Sequence, residues 1–159
     1  MDSSWEAIEK EIEGHYANLK DQPPHTPEQV AKVKALIRLY VLCWIHCKYD
    51  EVRKMVHPDY KQHNYTVISG GESIIIYSER FREYIKAQSG KDEINIDMRL
   101  KRIFVDGDYI IVHSHVIRWE GDKGQNVMDI FRYQDGQFTE HWDVITDVPD
   151  HCENTNGVF

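Results

Sequence analysis

The stretch VMDIFRYQDGQFTEHWDV, which runs from Val127 to Val144, decides how this chain folds. Two runs of alternating apolar and polar residues flank Asp135-Gly136, a dipeptide that is typical of the two-residue turn of a β-hairpin. The stretch is therefore predicted to form two antiparallel strands. It also holds more ionisable residues than a hairpin needs, namely Asp129, Arg132, Glu140, His141 and Asp143. Whether these side chains point to the interior or to solvent decides what the sheet can do chemically.

The same strand-like period extends upstream to about Ile94. It forms four runs, which are separated by the turn sequences DGD (106–108), GDKG (121–124) and DG (135–136). Turns at such intervals predict an antiparallel meander of four strands.

Helical periodicity fills the first half of the chain. A long helix is predicted from about Pro27 to Lys48, because Thr26-Pro27 is a typical helix start and the apolar residues that follow recur at helical spacing. Shorter helices are predicted in YDEVRKMV (49–56) and from about Ser73 to Ser89, with an irregular polar stretch between them. Helices followed by a sheet indicate an α+β fold. A curved antiparallel sheet folded over the long helix would form a cone with an internal cavity.

Composition limits the choice of partners and compartment. The 159 residues are 41% hydrophobic and 29% charged, as expected for one soluble globular domain. A net charge of −8 disfavours nucleic acid and anionic membranes, since both attract positively charged proteins. The three cysteines lack the spacing of a redox motif or a zinc site. The acidic N-terminus lacks the features of a secretion signal, so a cytoplasmic location is predicted.

A histidine and a carboxylate are predicted to meet on the inner face of the sheet. If a five-residue turn centres on Asp122, His115 lies directly across from Asp129 on the neighbouring strand, with Cβ atoms roughly 5 Å apart. An imidazole paired with a carboxylate in an apolar cavity is suited to proton transfer. The alternative interpretation is a structural hydrogen bond, or two groups on the solvated face.

The register of the Asp135-Gly136 hairpin leaves two possibilities. A regular two-residue turn places Asp129 opposite Trp142, with His141 and Asp143 on the other face. A bulge or a longer loop reverses this and places His141 and Asp143 beside Asp129, because a shift of one residue moves every side chain to the opposite face. Arg132 points away from Asp129 in either register, and it is expected to pair with a neighbouring carboxylate.

Three stretches resemble the SnoaL-like polyketide cyclases of the nuclear transport factor 2-like superfamily. They are YKQHNYTVISGGES (60–73), VHSHVIRWEGDKGQNVMDIFRYQDGQFTEHWDVITDVPD (112–150) and NTNGVF (154–159). The resemblance runs from about Glu28 to Phe159. It implies an α+β cone with a deep cavity, a homodimer, and catalysis without a metal or an organic cofactor. Residues 1–25 are therefore predicted to be an added helical extension, followed by a single SnoaL-like domain over residues 26–159.

The resemblance also implies a catalytic pair. In these cyclases a His and an Asp on adjacent strands, fourteen residues apart, act together in an intramolecular aldol closure. The carry-over falls on His115 and Asp129 of this chain. The predicted substrate-binding residues are Tyr40, Trp44, Tyr60, His63, Asn64, His113, Phe131, His141, Trp142 and Asp143.

A metal site is the competing interpretation of the histidines. His113 and His115 with Asp129 have the composition of a two-histidine, one-carboxylate metal site. The resemblance implies metal-free catalysis, so no metal and no cofactor are predicted.

The sequence thus predicts a cofactor-independent enzyme that works by acid/base chemistry. The expected reaction is a cyclisation, isomerisation or dehydration of a small organic metabolite, by analogy a polyketide or a terpenoid. The alternative is a non-catalytic module of the same fold that binds a small ligand or mediates dimer assembly.

Overall fold

The structure, a computed structural model, describes residues 4–159 and has an α+β architecture, as predicted. The elements in chain order are α1 (Trp5–Ala17), α2 (Pro27–Tyr40), a π-helical segment (Val41–Ile45), α3 (Tyr49–Met55), β1 (Val56–Gln62), α4 (Ser73–Ser89), β2 (Asp97–Asp106), β3 (Tyr109–Ile117), β4 (Gln125–Gln134) and β5 (Gln137–Asp147). Within residues 4–159, no helix has both the length and the apolar character that crossing a membrane requires.

Helix α2 begins as its sequence predicts. The Thr26 side chain accepts a hydrogen bond from the Gln29 N–H, and the Gln29 side chain accepts one from the Thr26 N–H, which completes a capping box. The predicted end at Lys48 is wrong in detail. The α-helical geometry ends at Tyr40, the chain continues as a π-helical turn over Val41–Ile45, and Cys47 then adopts a positive φ of 52°. Such π-helical turns are frequent at functional sites.

The sheet has five strands in the order β1-β5-β4-β3-β2. Strands β2 to β5 form the predicted antiparallel meander. Strand β1 was not predicted, and it pairs in parallel with β5, so the sheet is mixed. The sequence of β1 hides its conformation because it contains Pro58 and buries only Val56 and Tyr60. Proline is tolerated there because β1 is an edge strand.

The core lies between the helices and the inner face of the sheet. Helix α2 packs against β2 and β3, and its residues Val33, Leu36 and Ile37 are fully buried. Helix α1 packs on α2 through the buried Ile8 and Ile12. The division of the chain into an extension (1–25) and a domain (26–159) stays a prediction, and residues 1–3 lie outside the described part.

The connection between β3 and β4 passes close to the sheet at Gly124. This residue has a φ of +84°, and a Cβ atom at its position would lie 2.5 Å from the Val116 carbonyl oxygen and 2.7 Å from the His115 Nε2. Gly136 in the β4–β5 turn has a similar φ of +81°, yet a Cβ there would meet no atom within 4 Å. A side chain at either glycine would therefore strain the backbone, but only a side chain at Gly124 would also clash with neighbouring atoms.

Replacing each glycine by alanine tests this difference. We expect Gly136→Ala to lower the free energy of unfolding by about 1–2 kcal/mol, the cost of a left-handed conformation for an L-residue. Gly124→Ala adds a clash with backbone, for a total of about 2–5 kcal/mol. Urea denaturation of both variants measures the difference. Equal losses would show that the Gly124 connection is free to move.

Candidate active site

A pocket of about 80 Å³ lies between the inner face of the sheet, the end of α2 and helix α4. Its walls are mostly apolar and aromatic, and they include Trp44, Tyr77, Phe81, Val127 and Phe131. None of the described residues that line it is a lysine or an arginine. The ionisable groups that face the pocket, tyrosines aside, are Asp129, His141 and Asp143. The pocket thus combines two carboxylates and an imidazole with an apolar surround.

A β-bulge brings these three groups together. The two-residue turn keeps Gln134 paired with Gln137, but the register shifts after Tyr133. As a result Asp129 pairs with Asp143, and Phe131 pairs with His141. The prediction with Asp129 opposite Trp142 is wrong, and the bulged alternative is confirmed. The bulge adds one residue to β5, which turns His141 and Asp143 toward the interior.

The predicted pairing of His115 with Asp129 is wrong. Strand β3 pairs with β4 so that His115 faces Asn126 and Asp129 faces Val112. The last ladder pair is Val116 with Gln125, so the connection is longer than the five-residue turn that was expected. Asn126 and Asp129 are three positions apart on β4, so their side chains lie on opposite faces of the sheet. His115 shares the face of its partner Asn126, which is the outer face. There its Nε2 lies 2.7 Å from the Lys123 carbonyl oxygen, which accepts its N–H.

His141 takes the position beside Asp129. The His141 Nε2 lies 3.0 Å from the Asp129 Oδ1, and both residues are buried, with exposed fractions of 7%. The Tyr40 hydroxyl, also buried, donates a hydrogen bond of 2.5 Å to the Asp129 Oδ2. Both carboxylate oxygens of Asp129 therefore have a partner. We call Asp129 and His141 the dyad.

Neighbouring hydrogen bonds fix the orientation of the His141 ring. The Gln62 Oε1 accepts a hydrogen bond from the Asn64 N–H at 3.1 Å, which identifies this atom as the amide oxygen. The same oxygen lies 2.8 Å from the His141 Nδ1, so Nδ1 carries a hydrogen. The hydrogen bond between Nε2 and Asp129 then holds one proton, which lies on either the imidazole or the carboxyl group. The dyad is thus arranged to give or to accept a single proton.

The second carboxylate is held differently. Asn64 donates from its Nδ2 to the Asp143 Oδ2 at 2.7 Å. The Asn64 Oδ1 accepts from both the N–H and the hydroxyl of Thr66, which fixes the orientation of the amide. An N–H donor suits a carboxylate that carries no proton, because such a group only accepts. Among the described residues, the Asp143 Oδ1 has no hydrogen-bond partner, so this oxygen is available to a ligand.

Two buried hydroxyl groups on the pocket wall lack partners. The Tyr60 hydroxyl and the Ser114 hydroxyl are buried and make no hydrogen bond with the described residues. Burial raises the pKa of Tyr60 well above its usual value, and the charges of Asp129 and Asp143 add to the shift. Burial likewise raises the pKa of Tyr40, again with a contribution from Asp129. Both phenols therefore keep their protons and can donate hydrogen bonds.

The remaining predicted site residues divide into two groups. Those on the pocket wall are Tyr40, Trp44, Tyr60, Phe131, His141 and Asp143. Those that do not line it are His63, Asn64, His113 and Trp142, besides His115. Of these, His63 and Asn64 line an adjoining open groove. His63 stacks on Trp142 with ring centroids 4.7 Å apart and contacts Glu140 at 3.0 Å. His113 contacts Arg102 and Asn126 on the outer face. Glu140 also forms the expected ion pair of Arg132, at 2.6 Å.

Some pocket residues were missed by sequence analysis. Gln62 lies in the unpredicted strand β1, and Ser114 lies between the two histidines that drew attention on β3. Tyr77 and Phe81 stand four residues apart on α4, a spacing that puts both on one helical face and could have identified them.

The same cluster has the composition of a metal site. Ligand atoms of Asp129, His141 and Asp143 all lie within 4.8 Å of one another. The His141 Nδ1–H donates to Gln62, which leaves Nε2 available, as in many metal-bound histidines. The predicted alternative of His113, His115 and Asp129 does not form a site, because the two histidines lie on the face opposite Asp129.

Comparisons with known proteins agree with this fold. A family model described as a SnoaL-like domain matches residues 37–141. No curated protein sequence matches the chain with statistical significance. Among solved structures, a candidate polyketide cyclase from Bacillus cereus is similar with a TM-score of 0.58 and 22% identity, over 71% of this chain and 72% of that chain.

Two further structures have the same fold. A candidate SnoaL-like polyketide cyclase from Jannaschia has a TM-score of 0.60 and 16% identity, over 78% of this chain and 91% of that chain. An epoxide hydrolase from M. tuberculosis has a TM-score of 0.50 and 17% identity, over 71% of this chain and 80% of that chain. At these identities the likeness concerns the fold alone.

Two tyrosines that differ only in their partners test the site geometry. We expect Tyr40→Phe to lower the free energy of unfolding by about 1–3 kcal/mol, because it leaves a buried oxygen of Asp129 without its donor. Tyr60→Phe removes a hydroxyl that has no hydrogen-bond partner within residues 4–159, so stability should stay equal or rise. Urea denaturation without ligand measures both. A loss in Tyr60→Phe as large as in Tyr40→Phe would contradict the geometry.

Proposed function

The chain belongs to the family of SnoaL-like domain proteins, and we propose that it is an enzyme that moves protons on a small, mostly apolar organic molecule. It does so without a metal or an organic cofactor. The supporting observation is the hydrogen bond of 3.0 Å between the buried Asp129 and His141 beside a second carboxylate, Asp143, in an apolar pocket. Proteins of the same fold carry the names of a cyclase and an epoxide hydrolase, and such reactions use proton transfer in a water-poor site.

The two carboxylates take different roles. Asp143 has a free oxygen and an amide donor on the other, so it acts as the base. The dyad supplies or receives the second proton, and Tyr40 keeps Asp129 in place through its hydrogen bond. Neighbouring acidic groups in unlike environments commonly divide the acid and base roles in this way. His141 therefore replaces His115 as the partner of Asp129.

The proposed reaction begins with loss of a proton beside a carbonyl group. Asp143 takes the proton from carbon, the C–H electron pair forms a C=C bond, and the carbonyl π pair moves to oxygen. That oxygen receives a proton from the dyad and a hydrogen bond from Tyr60. In an isomerisation Asp143 returns its proton to another carbon, the enol carbonyl re-forms, and the enol O–H gives its proton back to the dyad. In a cyclisation the nucleophilic carbon attacks a second carbonyl of the same molecule. The oxygen of that second carbonyl takes the proton from Asp143, and the first carbonyl re-forms as its O–H returns a proton to the dyad. Neither sequence needs an external oxidant or reductant.

The pocket limits the part of the substrate that reacts. Without a cation on its described wall, it favours an uncharged group over an anionic one next to Asp129 and Asp143. Its volume of about 80 Å³ is smaller than the roughly 150 Å³ apolar cavity that binds benzene in an engineered protein. The reacting end is therefore a small ketone-like group, and a bulkier remainder would extend toward the mouth.

Hydrogen–deuterium exchange tests the first step without the natural substrate. The probe is β-tetralone, a bicyclic ketone with acidic C–H bonds, in deuterated water, followed by proton NMR. We expect the protein to accelerate exchange beyond the buffer rate. Asp143→Asn, Asp129→Asn and His141→Gln should each slow the catalysed exchange by about 10²–10⁴-fold, the usual contribution of a positioned acid or base.

Two controls accompany this assay. His115→Gln changes a histidine on the outer face, and it should exchange the ketone at the parental rate. A strong chelator should leave the rate unchanged, whereas loss of activity that one divalent ion restores would assign the cluster to a metal. If the parent protein and all variants bind β-tetralone without accelerating its exchange, the enzyme proposal is refuted and the non-catalytic ligand-binding module is favoured.

We also propose that the chain forms a homodimer through the outer face of the sheet. Four large apolar side chains on this face have exposed fractions between 39% and 69%, namely Phe104, Tyr109, Met128 and Val144. The strand register aligns Met128 with Val144, and it places Phe104 in the neighbouring row. Large exposed apolar side chains that are grouped on one face are typical of a protein–protein interface.

Charge placed on that face should separate the subunits. We expect Met128→Arg to shift the protein toward monomer in sedimentation-velocity experiments, because it buries an unpaired charge in the interface. Ile68→Arg is the matched control, since Ile68 is also exposed, at 61%, but lies in the loop before α4. A monomeric parent protein, or equal behaviour of the two variants, would refute this interface.

A further inference from the structure

A second, open groove adjoins the pocket at its mouth. It has a volume of about 650 Å³, and five residues line both spaces, namely Tyr77, Phe81, Gln125, Asp143 and Ile145. We call it the outer groove. Because the two spaces share these walls, a molecule whose reactive end lies near Asp143 would extend into the outer groove.

One wall of this groove is a row of aromatic rings on α4. Tyr77, Phe81 and Tyr84 follow one another along the helix, with successive centroids 6.0 Å and 6.5 Å apart. Their planes differ by only 19° and 17°, so the rings present similar faces. Trp44 at the inner end contacts both Tyr77 and Phe81 at nearly right angles. We call Tyr77, Phe81 and Tyr84 the ring row; it leads from the pocket to the surface, where Tyr84 is 45% exposed.

The cations of the groove are not equivalent. Arg118 is neutralised by Asp122 at 2.8 Å and by Asp147 at 3.2 Å. Arg80 has no carboxylate within 4.0 Å among the described residues, and its only hydrogen bond is a long one of 3.3 Å to the Thr66 carbonyl oxygen. Most of the donors of the Arg80 guanidinium are therefore free, in a chain whose net charge is −8. An unpaired arginine in such a setting can bind an added anion.

We propose that the outer groove binds the distal part of the substrate, a planar apolar body that carries one anionic group. The apolar body lies on the ring row, and the anionic group pairs with Arg80. The substrate class that follows is an aromatic or polyene ketone with a carboxylate or a similar anion at the end remote from the reacting carbon. This inference rests on the proposed function, because it assigns the reacting end to the pocket.

Charge also fixes the direction in which such a molecule enters. The pocket end presents Asp129 and Asp143, which repel an anion, and Arg80 on α4 attracts one. A substrate with an anionic group is therefore held with its uncharged end inward. Coulombic attraction at an exposed site is modest, so the ring row supplies most of the affinity and Arg80 supplies the orientation.

A pair of fluorescent probes tests the inference directly. Anilinonaphthalene sulfonate and phenylnaphthylamine share the same rings, but only the former carries an anionic group. Fluorescence titration should give a dissociation constant for each probe. In each variant, the ratio of the two constants isolates the contribution of the anionic group, because both probes carry the same rings. We expect Arg80→Gln to weaken binding of the sulfonate by roughly threefold to fivefold, the upper part of the range of an exposed ion pair, and to leave the neutral probe unchanged.

Two further variants locate the probes. Lys86→Gln removes the same charge from the exposed part of the same helix, outside the lining of the groove, and should leave both constants unchanged. Tyr84→Ala should weaken both probes, because it shortens the ring row. The inference is overturned if Arg80→Gln leaves the dissociation constant of the sulfonate unchanged, or if Lys86→Gln raises it by the same factor, which would show a general charge effect.

The probe titration and the ketone exchange assay can fail independently. The titration measures binding in the outer groove with no chemical step, and the exchange assay uses a neutral ketone that makes no use of Arg80. Probe binding that depends on Arg80 with no ketone exchange would keep the groove and refute the enzyme proposal. Ketone exchange with probe binding that ignores Arg80 would keep the enzyme and refute the groove.

Discussion

Two carboxylates face each other on the buried face of the sheet, and the rest of this site depends on how their repulsion is offset. Asp129 and Asp143 are direct cross-strand partners, and like charges in that position destabilise a sheet. Three hydrogen bonds offset the repulsion: Tyr40 and His141 contact Asp129, and Asn64 contacts Asp143. These partners come from α2, β5 and the loop after β1. The repulsion between the two carboxylates is therefore offset by hydrogen bonds from segments that are far apart in the sequence.

Much of the fold was predictable because local signals agree with the tertiary structure. The capping box at Thr26, the left-handed Gly90 that ends α4 and the Asp135-Gly136 turn each mark an element boundary in the sequence. The alternation of apolar residues on β3 likewise identifies its buried face, which includes Ile110 and Val112. Strand β1 has no such signal, because its pairing with β5 depends on a partner almost eighty residues away in the sequence, as for Gln62 and His141.

The candidate site was less predictable because it depends on two registers. The bulge between β4 and β5 turns His141 and Asp143 toward the pocket. The sequence around Thr139 contains no signal that predicts this bulge. The length of the β3–β4 connection places His115 on the outer face of the sheet. The polar residues around Asp122 do not predict that length. An error of an odd number of residues in such a connection exchanges the two faces of a strand. The sequence therefore indicated which residues the strands contain, whereas the face that each residue occupies depends on the observed strand register.

The hydrogen bond between His141 and Gln62 makes the proposed proton transfer depend on the edge of the sheet. Strand β1 is joined to the rest of the sheet only through β5, and its ladder is interrupted between Val56 and Lys61. Edge segments with few bonds open at a lower free energy than the core of a domain. When β1 frays, the imidazole loses the acceptor of its Nδ1–H and can rotate or change tautomer while the helices and the other four strands stay intact. For the proposed enzyme, heat inactivation would therefore begin as a local event at the edge of the sheet, at temperatures where the global fold persists.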